Sequence, residues 1–396
     1  MQHRFEAYYN SNNGNGLYFH GVKSFVRINT VGDALNALDD FLEEHQNSYV
    51  GFALSYQLKN EIEDLTSTQK DETEFPVLIA VIPETVYEIS ENKAVLITGE
   101  ELSQAHIDRV LKDPVSKEKI DFTARTSREN YLSAVEKLKS HIQQGDIYEV
   151  NYCQEYFAEN VEVDDPVDLY HTVNRITQAP YAVYFNFDEH HVMSGSPERF
   201  IQRKGEHLIS QPIKGTTRRG KDAQEDELLK ETLRNDPKER SENVMIVDLV
   251  RNDLSKLASR NSVHVDELFG IYSFDTVHQM ISTVSCDLKP NLSLSDIIEA
   301  TFPMGSMTGA PKISAMKLID TYENFSRSIF SGSIGYIKPN GDFDLNVIIR
   351  TLIYNSKLKY ISCPVGGAIT IKSDPEKEYN ECLVKVGKIL EAFQYG

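Results

Sequence analysis

The feature that most constrains the fold is the way the strand-like runs are joined. Segments rich in Tyr, Val and Ile occur at 48–55, 77–82, 94–98, 147–157, 181–187, 207–211 and 333–337, and turns are enough to separate several of them. A parallel pair needs a crossover of a dozen or more residues, whereas an antiparallel pair can be joined by a turn. Large antiparallel sheets are therefore expected. Helical periodicity appears at 33–44, 223–235, 239–258, 294–301, 313–321 and 377–393. The clearest helix follows Ser127, a capping residue. Its apolar positions Tyr131, Val135, Leu138 and Ile142 fall at spacings of four, three and four, and Gly145 stands where a left-handed stop is wanted. The expected class is mixed α/β of the α+β type, with helices covering antiparallel sheets. The acidic run 64–74 reads as a solvated loop, and 113–126 as the link from an N-terminal region, 1–115, into the main body, 120–396.

Composition narrows the function. The 396 residues are 40% hydrophobic and 26% charged, the balance of a globular protein. No stretch reaches the roughly 18 apolar residues of a membrane span, and the start Met-Gln-His-Arg-Phe-Glu lacks a secretory apolar run. No membrane association and a cytoplasmic location are expected. Cys153, Cys286, Cys363 and Cys382 are widely spaced and read as reduced, mostly buried thiols. A net charge of -19 disfavours nucleic acid. An anionic ligand would have to be met by a local cation or a metal, against the global field.

Several constellations could carry chemistry, each with a plainer reading beside it. Glu239 and Glu242 are three apart on one expected helix, Glu378 and Glu381 on another. Each pair points to one side, so four carboxylates could converge on a hard cation such as Mg²⁺. With 60 acidic residues such spacings also arise by chance. Glu198, at a probable strand end, and Lys214 would suit acid and nucleophile roles if brought together on adjacent strands, or they could be ordinary surface residues. The run Gly305 to Lys312, with Ser306 and Thr308, resembles an anion-binding turn leading into a helix, and Gly366-Gly367 after a strand allows close backbone approach; both could be tight turns. His278 is a lone histidine, more often structural than catalytic. Arg350 ends an apolar run, where a buried guanidinium needs an anionic partner from protein or substrate.

These elements stand in a recognisable order: Ser-Pro-Glu-Arg-Phe (196–200), Pro-Ile-Lys-Gly-Thr (212–216), Glu-Asn-x-Met-Ile-Val-Asp-Leu-x-Arg-Asn-Asp-Leu (242–254), Gly-Ser-x-Thr-Gly-Ala-Pro-Lys (305–312), Ile-Arg-Thr (349–351) and Ser-Asp-Pro-Glu-x-Glu-Tyr-x-Glu (373–381). From about Ser127 onward the chain resembles the chorismate-binding family of anthranilate, aminodeoxychorismate, isochorismate and salicylate synthases. Before that the resemblance is weak, through Gly51-Phe52-Ala53-Leu54-Ser55-Tyr56.

The resemblance implies the anthranilate-synthase-like sandwich of antiparallel sheets, with 120–396 as the chorismate-binding core. It implies that Glu242 and Glu381 bind Mg²⁺, helped by Glu239 and Glu378, and that the metal holds the ring carboxylate. Arg350 would take the enolpyruvyl carboxylate, with Gly366, Gly367, Ser306, Thr308 and Thr216 adding substrate contacts. Glu198 would protonate the departing C4 hydroxyl, and His278 would line the ring site. Within the family, Lys at position 214 implies attack of its amine on C2, a covalent adduct, and ammonia directed to C4. The precursor of 4-aminobenzoate and folate results. Glu149 stands where water-adding members carry a Lys base and aminating members usually a Gln. Phe330 replaces a common Tyr. No glutaminase motif is present in the chain, so ammonia is expected from a separate glutamine amidotransferase subunit. Two other readings stay open at this point: an anthranilate-type enzyme, and a non-catalytic chorismate-binding or partner-docking protein.

Overall fold

The computed structural model describes residues 3–112, 118–275 and 277–394; the first five residues of the expected link, 113–117, lie outside them. The described chain forms two antiparallel sheets. The first has 11 strands, in the order Gly309–Ala310, Glu149–Ala158, Tyr360–Thr370, Thr351–Asn355, His190–Ser196, Tyr181–Phe187, Phe5–Asn10, Gly16–His20, Thr85–Ser90 and Lys93–Thr98, with Thr123–Ala124 beside Glu149–Ala158. The second has 10, in the order Ile213–Arg218, Val277–Asp287, His207–Gln211, Arg199–Lys204, Phe343–Asn346, Ser333–Ile337, Val50–Leu54, Leu78–Ile82 and Ser24–Ile28, with His264–Ser273 beside Val277–Asp287.

Strand alternation assigns the faces of the first sheet. In Tyr181–Phe187, Val183, Phe185 and Phe187 enter one core, which they share with Phe52, Ile201, Ile334 and Leu345 of the second sheet. The neighbouring Ala182 and Tyr184 enter another, beneath helices Arg128–Gln144, Pro166–Thr177, Lys312–Tyr322 and Pro375–Gln394. The layers are thus sheet on sheet with helices outside, as expected. Helices Ala34–Glu44, Pro237–Leu257 and Leu294–Thr301 add apolar faces to the inter-sheet core.

Residues before 113 do not stand apart from this arrangement. Phe5–Asn10 pairs with Tyr181–Phe187 in the first sheet, and Val50–Leu54 with Ser333–Ile337 in the second. Their burial completes layers begun by the rest of the chain.

The helix after Ser127 forms over Arg128–Gln144. Ser127 accepts the Asn130 N–H and Gly145 adopts φ +87°, the left-handed stop its position called for. Gly366-Gly367 lies inside the strand Tyr360–Thr370, opposite Cys153 and Tyr152, and not after a strand. A Cβ on Gly366 would stand 2.3 Å from Cys153 Sγ, so the close packing of the two strands requires glycine there. Among the described residues no helix is long and apolar enough to cross a membrane.

Candidate active site

A cavity of about 560 Å³ opens between the edge strand Ile213–Arg218 of the second sheet, the strand Tyr360–Thr370 inside the first, and two long helices. Each helix brings carboxylates to it. Asp236 caps Pro237–Leu257 by accepting the N–H groups of Lys238 and Glu239, which sets Glu239 and Glu242 on the cavity side. Asp374 accepts the Lys377 N–H at the start of Pro375–Gln394, which presents Glu378 and Glu381. The positive ends of two helix dipoles partly offset the cost of gathering this negative charge.

Lys214 enters from the edge strand Ile213–Arg218. The register with Val277–Asp287 slips between Ile213 and Thr216, and Gly215 at φ +93° takes the left-handed bend there. A Cβ at Gly215 would meet Glu239 Oε2 and Leu233 Cδ1 at 3.1 Å, so the backbone runs hard against the helix and turns Lys214 inward. Its Nζ donates to Glu149 Oε1 at 2.7 Å. Burial works against the ammonium, but the carboxylates of Glu149 and Glu242 outweigh it and hold the lysine above its ordinary pKa.

Glu198 faces the same space, although its strand and that of Lys214 are not adjacent: Val277–Asp287 and His207–Gln211 lie between them. The Ile213 backbone bonds the Glu198 carboxylate, which also accepts from Ser306 Oγ at 2.7 Å. Burial raises Glu198 to about 7 despite these bonds. It therefore holds a transferable proton near neutral pH.

Arg350 is the half-buried cation of the cavity wall. Its φ of +53° is unusual for a residue with a side chain and costs on the order of 1 kcal/mol, a strain the packing around it must sustain. Nη1 donates to Lys385 O at 2.8 Å, and among the described residues no carboxylate forms an ion pair with it. Burial depresses it, with Glu381 partly compensating. Such a guanidinium is prepared for an anion from outside. Gly366, Gly367, Ser306, Thr216 and Phe330 also line the cavity.

Two of the expected site residues lie off the cavity wall. His278 is fully buried and lies off the cavity wall: alternation along Val277–Asp287 gives the wall to Val277 and Gln279 and turns His278 away, to Ser273 Oγ at 2.8 Å and Asp226 Oδ1 at 2.9 Å. Thr308 is likewise buried off the wall, donating to Met304 O and Gly305 O. One wall residue that the sequence does not single out is Gln279, whose Oε1 is buried without a hydrogen-bond partner. The period of two along the strand, counted from any wall residue, would have found it.

The glutamates were tested for a hard cation. Glu242 Oε1 is buried with no hydrogen bond, and burial raises that carboxyl to about 7. An all-oxygen donor set with an orphaned oxygen suits Mg²⁺ in kind. Yet among the described residues no three His, Cys, Asp or Glu side chains stand close enough to hold an ion as they are. Lysines occupy the space between them: Lys238 Nζ lies 3.4 Å from Glu378 and 3.8 Å from Glu242, and Lys385 Nζ lies 2.7 Å from Glu381. Neither lysine stood out in the sequence, because Lys and Glu at a spacing of four normally mark a solvated helix face.

Comparison with known proteins follows this geometry. The sequence profile of chorismate binding enzymes matches residues 6–391. The chain belongs to the chorismate-binding enzyme family. The match takes in the N-terminal region, which carries few of the family's motifs. Among its relatives, aminodeoxychorismate synthase component 1 of Klebsiella aerogenes is 40% identical over 271 residues, 68% of this chain and 59% of that protein. The Escherichia coli K12 protein of the same name is 38% identical over 275 residues, 69% of this chain and 60% of the relative. The shared stretch thus spans less than two thirds of either. An anthranilate synthase component I-like protein of Synechocystis is 33% identical over 86% of this chain and 72% of its own length. The same fold is seen in anthranilate synthase component I from Streptococcus pneumoniae, with TM-score 0.77 at 23% identity over 98% of this chain and 92% of that one.

Proposed function

We propose that this family member aminates chorismate at C4, as the large component of an aminodeoxychorismate synthase. The carrying observation is the amine of Lys214, buried in the cavity and opposed by the proton-bearing Glu198. An anthranilate-type enzyme needs open space at position 214 for ammonia. Here a nucleophile fills it, in keeping with the two 38–40% identical relatives of that name.

In this reading the anionic substrate brings the counter-charge that Arg350 lacks, with its enolpyruvyl carboxylate on the guanidinium and the Gly366-Gly367 backbone beside it. Mg²⁺, held by Glu242 and Glu381 with help from Glu239 and Glu378, supplies positive charge for the ring carboxylate when bound. The Lys214 amine attacks C2. The C1=C2 pair moves to C1–C6, the C5=C6 pair to C4–C5, and the C4 hydroxyl leaves as water with the Glu198 proton. Ammonia then enters at C4 as the lysine leaves C2, and the enolpyruvyl ether is retained. A separate glutamine amidotransferase subunit would supply that ammonia in the cytoplasm, for 4-aminobenzoate and folate synthesis.

The test is product identity. Chorismate, Mg²⁺ and ammonium should give 4-amino-4-deoxychorismate, which needs an added lyase before any aromatic amine appears; direct release of anthranilate would replace this reading with the rival one. Lys214→Ala should show no adduct by mass spectrometry and lose about three orders of magnitude or more in C4 amination. Undiminished amination in that variant would defeat the lysine mechanism.

A further inference from the structure

The resting site holds Lys214 in its unreactive form. An ammonium has no lone pair, and two carboxylates favour keeping its proton. Attack on carbon therefore requires an acceptor for that proton within reach of Nζ, in a cavity that excludes bulk water once substrate fills it. Glu198 cannot serve if it is to deliver a proton to the leaving hydroxyl. Glu242 acts on Lys214 through space, without a hydrogen bond.

Glu149 is different in kind. It is 1% exposed, starts the strand Glu149–Ala158, and is pinned between Ala310 and Thr370 on the flanking strands. Its Oε1 accepts from Nζ at 2.7 Å, while Oε2 is buried with no hydrogen-bond partner. The carboxyl stands behind the lysine and outside the cavity wall, so it touches the nucleophilic atom without occupying substrate space. A buried ion pair with one unsatisfied oxygen pays the desolvation of both charges and is only partly repaid, and the 2.7 Å contact gives the Nζ proton a direct path to Oε1.

We propose that Glu149 is the general base of the first step, taking the Nζ proton of Lys214 as the substrate binds and returning it when the lysine leaves. The inference rests on the nucleophilic role of Lys214 proposed above. An N–H bond breaks and the proton moves to the Glu149 carboxylate. The freed pair forms the Nζ–C2 bond while the hydroxyl departs with the Glu198 proton. When ammonia displaces the lysine, the neutral amine recovers the proton from Glu149, and Glu198 takes one from the new C4 ammonium. Both acids return to their starting states, and the sum is chorismate plus ammonia giving the amino product plus water.

The test is the rate of adduct formation, followed by rapid quench and mass spectrometry with chorismate and Mg²⁺ but no ammonium, in wild type, Glu149→Gln and Glu149→Asp across neutral to alkaline pH. If the carboxylate only stabilised the ammonium, Glu149→Gln would free the amine and speed adduct formation. General-base action requires the opposite: a slowing of about 10²- to 10⁴-fold at neutral pH, with the deficit shrinking about tenfold per pH unit as hydroxide replaces the carboxylate. A wild-type rate, or a deficit that stays constant with pH in a protein that still binds chorismate, overturns the proposal. Should the amide variant fail to fold, Glu149→Asp carries the test, since it retracts the base by one methylene and should show a smaller deficit of the same pH dependence; an undiminished rate there overturns it equally. An adduct in wild type that the variants leave untouched removes only the base. No adduct in wild type while product accumulates removes the nucleophile, and the base with it.

Discussion

Two arginines of this molecule, Arg327 in the core and Arg350 half-buried at the cavity, live in opposite circumstances. Arg327 has every side of its guanidinium engaged. It forms a two-pronged pair with Glu323 at 2.6 and 2.8 Å, donates to the backbone oxygens of Met307 and Asn151, donates to Ser331 Oγ, and stacks over Tyr56. Arg350 has a backbone carbonyl and a strained φ. Their carboxylate neighbours repeat the contrast. Glu323 accepts from Arg327 and from the Cys153 N–H, whereas Glu242 keeps a buried oxygen with no partner. Satisfied networks of the first kind fix the way sheets and helices meet. Unsatisfied groups of the second kind are costly unless something binds; Glu242 Oε1 and Gln279 Oε1 belong to residues of the cavity wall and Glu149 Oε2 lies behind Lys214, while Tyr56, Gln154 and Tyr156 hold others away from the wall.

The largest separation should come from giving both arginines the same change. Arg327→Met strips the partner from a buried glutamate and should destabilise folding by roughly 3–5 kcal/mol. Arg350→Met replaces an unpaired half-buried charge by an apolar chain, and stability should hold or rise. The second variant should instead weaken chorismate binding by about two orders of magnitude, from loss of a charge-assisted contact. Denaturant unfolding with a binding titration on each checks both halves. Equal destabilisation would mean that Arg350 belongs to the scaffold.

The carboxylates sharpen the contrast through pH. Burial raises Glu242 in the folded protein from its ordinary 4.5 to about 7. The folded state therefore binds the proton more tightly than the unfolded chain. The associated stability is fully present below about 4.5 and lost as pH rises through about 7, worth roughly 3 kcal/mol at most. Wild type without metal should lose more stability between pH 5 and 8 than Glu242→Gln does. Magnesium should restore the wild type at pH 8 and help the variant far less, since its charged ligand is gone. Identical pH slopes, or equal stabilisation of both by magnesium, would remove Glu242 from the metal assignment.

How far the sequence disclosed this depends on where the decisive physics is local. The helix Arg128–Gln144 was legible because Ser127, the apolar period and Gly145 act within a few residues of one another. Pro166–Thr177 carries comparable punctuation, Asp165 as cap and Pro166 in the first turn, but polar neighbours mask it. The gathering of Lys214, Glu198, Arg350 and the glutamates around one cavity came from motif order, since no local rule brings Glu198 and Lys214 together across two intervening strands. Lys238 is invisible because an i,i+4 pair looks the same on a solvated helix as beside the buried Glu242 and Glu378, and Lys385 pairs with a Glu381 that is itself half exposed.

The smallest expected effect concerns His278, where a one-residue difference in strand parity separates two roles. A base in contact with the ring should cost about 10²- to 10⁴-fold in turnover when removed. The observed side chain instead joins Asp226, which also binds Arg219 and the Gly220 N–H, so that the start of helix Ala223–Asn235 is tied to the strand beside Lys214. His278→Ala should therefore cost on the order of 1–2 kcal/mol of stability through the lost hydrogen bonds. Turnover should change by only a few fold, and the pH profile should keep its shape. Gln279→Ala, one residue on and facing the cavity, should raise the KM for chorismate with little change in melting temperature. If the histidine variant loses turnover at unchanged stability while the glutamine variant is silent, the parity seen here does not describe the working enzyme.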